Sequence, residues 1–121
     1  MDIIEILTEL KTEEDPQIFY NMLGTADLLV GNYGDFLKTR PVDVDEELKR
    51  LPNAGFKLAC AFMSMLLREE YFSGGIFAVR RERGQVNAVL DRMIAARKIL
   101  LAQKHAHKCA GKLEARVGKA L

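Results

Sequence analysis

The chain contains no tryptophan, and only two histidines, two cysteines and three prolines among its 121 residues. Two cysteines, Cys60 and Cys109, are too few for a disulfide framework, so the fold must stand on its core. Cys60 lies inside an apolar run, where a buried free thiol is the usual state, and the compartment reads as reducing. The histidines, His105 and His107, sit near the C-terminus, far along the chain from Ser64 and Ser73, and no GxSxG, GxGxxG, HExxH or P-loop pattern occurs. The longest nearly apolar run, Leu58 to Leu67, is about half the length of a bilayer span. The first residues, MDIIEILTEL, are acidic and amphipathic, without the basic stretch of an export signal. These absences set the expectation of a cytoplasmic protein with no membrane anchor and no cofactor, and they weigh against an enzyme.

Hydrophobic residues make up 49% and charged residues 29% of the chain, the balance of a globular protein. A chain of this length forms one domain that buries roughly two-thirds of its unfolded surface. No alternating strand pattern extends beyond a few residues, whereas helical spacing recurs throughout. The expected fold is all-α: five or six helices in a compact bundle around one central apolar helix, forming a single domain over residues 1–121. A thinly packed basic tail is expected from about residue 103.

Asp2 is placed to cap a helix from Ile3 to about Lys11, with Ile3, Ile6, Leu7 and Leu10 on one face. Asp15 and Pro16 start a second, which the apolar spacing carries to about Leu29 with Phe19, Met22, Leu23 and Ala26 inward. Residues 31–43 read as irregular, anchored by Tyr33 and Phe36. Asp43 caps a short acidic helix, Val44 to Arg50, and Asn53 is placed to cap the central helix, Ala54 to about Tyr71. Ser73-Gly74-Gly75 turns the chain. Ile76 to Arg83 follows with Ile76, Phe77 and Val79 inward and Arg80, Arg81 and Arg83 outward; Gly84 suits its end. The last strong helix spans Gln85 to about Gln103, with Val86, Val89, Leu90, Met93, Ile94 and Leu100–Leu101 as its apolar stripe and Gly111 as an interruption beyond it.

Charge is uneven. Residues 1–60 carry 6 basic and 12 acidic side chains, and residues 61–121 carry 12 and 5. From Arg92 onward eight bases face one acid, Glu114. Such a tail either contacts nucleic acid or faces the acidic half of its own chain or of a second copy. A helix, a glycine turn and an arginine-rich helix also describe a DNA-reading motif, but the second helix is barely two turns long and lacks a base reader's polar mix. Candidate nucleic-acid contacts are Arg80, Arg81, Arg83, Arg97, Lys98, Lys104 and Lys108. His105 and Cys109 share a helix face at i, i+4, yet His107 points elsewhere and zinc wants three or four ligands, so no metal site is expected. Glu69 and Glu70 are adjacent on a helix and diverge by about 100°, unlike a pair that shares a proton.

The block LREEYFSGGIFAVRRERGQVNAVLDRM resembles a family of small prokaryotic helical domains of unknown function. That family's pattern is an apolar helix ending in Arg-x-acid-x-Phe-x-x-Gly, then Gly-x-hydrophobic and Leu-x-Arg-hydrophobic. Here the positions are Arg68, Glu70, Phe72 and Gly75, then Gly84, Val86, Leu90, Arg92 and Met93, within residues 54–95. The resemblance implies a helical domain and no established activity. It also suggests a structural ion network of Arg68, Glu70 and Arg92 beside the turn. The leading functional expectation is a non-enzymatic helical interaction module that associates with itself, a homodimer being the simplest form. The alternative is a nucleic-acid-associated protein using the basic half.

Overall fold

Every residue from Ala59 to Leu67 is buried, the polar Ser64 included. A run apolar on all faces is covered only when helices surround it. The structure, a computed structural model, describes the backbone of residues 2–120 and the side chains of residues 2–105. Among the described residues there are six α-helices and no strand. They are α1 (Ile3–Leu10), α2 (Pro16–Thr25), α3 (Val44–Leu48), α4 (Phe56–Phe72), α5 (Ile76–Glu82) and α6 (Gln85–Ala120), with single 3-10 turns at Tyr33–Phe36 and Leu51–Asn53. Helix α4 is the axis of the bundle, touched by α2, α3, α5, α6 and the Tyr33–Phe36 turn, while α1 lies on α6. The all-α expectation, with the 54–71 region central, therefore holds.

The core is built from the predicted stripes. Leu7 and Leu10 of α1, Phe19 and Leu23 of α2, and Val86, Val89, Leu90 and Met93 of α6 are all buried. The α6 set falls at i, i+3, i+4 and i+7, one helix face, and that face lies on α4. Phe77 of α5 meets Phe19 edge to face, with ring centroids 5.0 Å apart.

Helix α2 stops four residues before the expected Leu29. Asp27 takes a left-handed conformation (φ 59°), its N–H donating to Gly24 O and that of Leu28 to Leu23 O. This is a Schellman ending, and the two apolar residues at its hydrogen-bonded ends, Leu28 and Leu23, are both buried in the core. The stop was invisible in the sequence because aspartate occupies the position usually held by glycine. Helix α2 begins as expected, with Asp15 accepting from Gln17 N at 2.9 Å. Asp2 stands at the start of α1, but its side chain makes no cap bond. Nor does Asn53 cap α4: it ends the preceding turn, and Gly55 holds the cap position.

Acidic residues early in α3 do more than satisfy the helix dipole. Glu47 is 1% exposed. Its carboxylate accepts from the backbone N–H of Lys38 (2.9 Å) and Thr39 (2.7 Å), the Thr39 hydroxyl and Arg50. Arg50 also donates to Phe36 O at 2.8 Å and lies over the Phe62 ring. One buried carboxylate thus fastens the irregular 33–43 segment, which contains a cis Arg40-Pro41 bond, onto α3 and α4. Burial pushes the Glu47 carboxyl up, but the hydrogen bonds from Thr39, Arg50 and Lys38 outweigh it and hold the pKa at about 2.

The two turns flanking α5 use Gly75 (φ 97°) and Gly84 (φ 80°), conformations that side chains oppose. Beyond the second turn, α6 runs without a break to Ala120, past the predicted interruption at Gly111. One glycine costs a helix about 1 kcal/mol relative to alanine, and the Ala, Lys, Leu, Glu and Arg around it favour the helix. At 1.5 Å per residue, the 36 residues of α6 extend about 54 Å, longer than a small bundle needs.

Candidate functional site

The basic side chains nominated for nucleic acid scatter once folded. Arg80 was expected to point outward and does not: its side chain is 7% exposed. It donates to Glu69 through Nε and Nη2, and through Nη1 to Asp45 (3.1 Å) and Gln85 (3.1 Å). Phe77 fixes the inward face of α5, and Arg80 follows at i+3 on that face, where the carboxylates of α3 and α4 await it. Val79, expected inward, is 38% exposed for the same reason. Arg81 donates from Nε to Glu13 O at 3.1 Å and stands 3.5 Å from Glu14, joining α5 to the α1–α2 connection. Arg97 lies over the ring of Phe56 at 5.4 Å. Arg83, Lys98 and Lys104 are exposed. The side chain of Lys108 lies outside the described residues.

Arg68, Glu70 and Arg92 form no common network. Glu70 receives the N–H of Gly75 through both oxygens (2.9 and 2.8 Å) and that of Phe77 (3.3 Å), closing the turn before α5. Arg92 donates from Nε to Ala54 O at 2.6 Å, fastening α6 to the segment that leads into α4. Arg68 makes no ion pair within the described residues; its guanidinium lies 4.9 Å from the ring centroids of both Tyr71 and Phe72. The expected shared role breaks up because Glu70 and Arg92 reach for backbone at opposite ends of α4.

Beside Arg68 a groove of about 880 Å³ opens between α2 and α4, with the segment leading from Leu29 to Tyr33 forming another wall. All three tyrosines of the chain, Tyr20, Tyr33 and Tyr71, line it. Each comes from a different element, so no spacing in the sequence could have grouped them. Leu29, Val30 and Leu67 add apolar wall, and Ser64 lies among them. The Ser64 hydroxyl donates to Cys60 O (3.0 Å) and accepts from Val30 N (2.8 Å), which ties the chain after α2 to α4. Ser64 is thereby occupied with backbone and is not poised as a nucleophile.

Burial pushes the Cys60 thiol up to about 12, so it stays protonated and unreactive. Among the described residues no three His, Cys, Asp or Glu side chains gather as metal ligands. The side chains of His107 and Cys109 lie outside the described residues. No described helix is long and apolar enough to cross a membrane. A second, shallower hollow lies over the buried Arg80, rimmed by Thr39, Asp43, Asp45 and Glu69; there Gln85 and Arg80 hold the Asp45 carboxyl below its ordinary value. No family model, curated protein or solved structure matches the chain.

From Lys98 to His105 every residue of α6 is exposed, including Ile99 (49%), Leu100 (38%) and Leu101 (41%). The helix has left its bundle by this point, and three consecutive large aliphatic side chains go with it.

Proposed function

We propose that this protein is a non-enzymatic helical interaction module that associates with a second copy of itself through the projecting part of α6. The observation that carries this reading is the exposure of Ile99, Leu100 and Leu101 on a helix segment with no exposed-to-buried alternation left. A helix without tertiary contacts is marginal in water, because most helical stability in proteins comes from packing an apolar face. Charge favours a second copy as the partner. The segment beyond Arg92 is strongly basic, whereas residues 1–60 carry twice as many acids as bases. A basic helix of one copy against the acidic half of another satisfies both surfaces. Sedimentation across a concentration series tests this reading. The expected result is a mass that rises from one chain to two, and a single-chain mass at all concentrations refutes it.

The alternative partner, nucleic acid, rests on Arg83, Lys98 and Lys104, because Arg80, Arg81 and Arg97 have partners in the fold. Phosphate contacts make affinity fall steeply with salt. Duplex DNA binding that is strong at low salt and weakened by Lys98→Ala with Lys104→Ala supports this second reading; no binding at low salt removes it.

A further inference from the structure

The groove between α2 and α4 has the composition of a ligand site. Its walls combine apolar and aromatic side chains with the polar Asp15, Gln17, Ser64, Arg68 and Glu70, a mixture that small-molecule pockets use to bind and orient a ligand. Its volume of about 880 Å³ accommodates a small organic molecule. None of the hydroxyls of Tyr20, Tyr33 and Tyr71 hydrogen-bonds within the described residues. Tyr20 and Tyr71 are 55% and 75% exposed, so aromatic surface faces the opening rather than the core.

The charges around the groove decide what it would hold. Two carboxylates line it, Asp15 and Glu70, and both are engaged. Asp15 accepts the N–H of Gln17 at the start of α2, and Glu70 accepts those of Gly75 and Phe77. Arg68 is the lining cation, and it has no acid partner among the described residues. Its guanidinium carbon lies 4.9 Å from the centroids of both Tyr71 and Phe72, and ring contacts of this kind do not use up N–H donors as a carboxylate would, so they remain for an anion. A carboxylate matches those donors with two parallel hydrogen bonds. A phosphate dianion carries more charge than one guanidinium neutralises, whereas a monocarboxylate carries one.

We infer that the α2–α4 groove binds a small organic monocarboxylate, its carboxylate on Arg68 and its apolar body along Leu67, Leu29 and the three tyrosines. This site is separate from the exposed stretch of α6 and does not depend on self-association.

The chain supplies its own reporter. It has no tryptophan, and all three tyrosines line the groove, so the intrinsic emission of the whole protein comes from this site. Octanoate and 4-phenylbutanoate are titrated against the full chain, with octanol and octylammonium as controls; calorimetry follows the phenyl probe. The expected result is a saturable response to the carboxylates and a much weaker one to both controls. Arg68→Gln is expected to weaken carboxylate binding about tenfold or more. Because Arg68 is exposed and forms ring contacts but no ion pair among the described residues, the variant's melting temperature should stay within a few degrees of the parent's, and Arg68→Lys should retain part of the affinity. No saturable response up to about 10 mM overturns the inference. So does equal binding of octanol or octylammonium, or undiminished binding by Arg68→Gln.

Discussion

Arg80 of α5 donates to both oxygens of Glu69 on α4, with Nη2 to Oε2 at 2.8 Å, and the pair is shielded by Asp45 and Gln85. Four elements, α3, α4, α5 and α6, therefore meet at one guanidinium. Hydrogen bonding with Glu69 raises the Arg80 pKa further despite burial, so the charge is permanent. Removing one partner of such a pair leaves the other charge poorly compensated. Arg80→Ala is expected to destabilise the protein by about 2–4 kcal/mol, somewhat less than for a fully buried pair because Glu69 keeps partial access to water. Urea unfolding measures it. A loss under about 1 kcal/mol would show that Arg80 is a surface group after all.

Glu47 makes an acid-sensitive latch. Its carboxyl is held at about 2 against an ordinary 4.5. A lowered folded-state pKa contributes stability that is complete above the unfolded value and lost as pH falls through the folded one. The window is therefore from about pH 5 down to pH 2, and the linked contribution is on the order of 3 kcal/mol. Glu47→Gln places an amide where two backbone N–H groups and a guanidinium need an acceptor. It is expected to lower stability at pH 7 by about 2–4 kcal/mol and to flatten the acid limb of the stability profile. Stability measured by urea at several pH values decides; an unchanged acid limb contradicts this role.

Whether a feature was legible from sequence depended on how local it was. The stripe of α1, that of α6 as far as Ile94, the all-round apolar run of α4, the Asp15 and Asp43 caps and the glycine turns are set by neighbours three or four residues away and appear where the spacing placed them. Leu100 and Leu101, which the same spacing put on the α6 stripe, are exposed because the bundle ends before them. Glu47 is different: its partners, apart from Arg50, lie eight and nine residues back across an irregular segment. Arg80 looked solvated because arginine usually is, and only the meeting of α3 with α4 and α5 reveals its acids. The tyrosine groove belongs wholly to this second class, since Tyr20, Tyr33 and Tyr71 meet only after α2 and the following turn have packed on α4.

The Schellman ending of α2 stores a correctable strain. Asp27 sits at φ 59°, where a side chain is disfavoured, and it is exposed. Asp27→Gly removes that conflict, and the added freedom of the unfolded chain offsets only part of the gain. The expected change is an increase of about 0.5–1 kcal/mol, a rise of roughly 2–4 °C in melting temperature. Calorimetry reads it directly, and a fall in melting temperature rejects the assignment.

Leu100 offers the sharpest test of the surface on α6. It is 38% exposed and lies beyond Ala96, the last buried residue among the described residues of that helix. A charge there leaves the bundle core untouched, so Leu100→Glu should unfold at the same urea concentration as the parent when both are dilute enough to be monomeric. In an interface between copies, however, the same change buries a carboxylate among aliphatic groups. Association should weaken by at least about 2 kcal/mol, a thirtyfold change in dissociation constant, visible in sedimentation as a shift to the single-chain mass. Asp91 provides the control: it is exposed on the same helix and already pairs with Lys11 at 2.7 Å, so Asp91→Asn should leave the mass unchanged. If Leu100→Glu and the parent sediment alike at every concentration, the exposed aliphatic residues are not what holds two copies together.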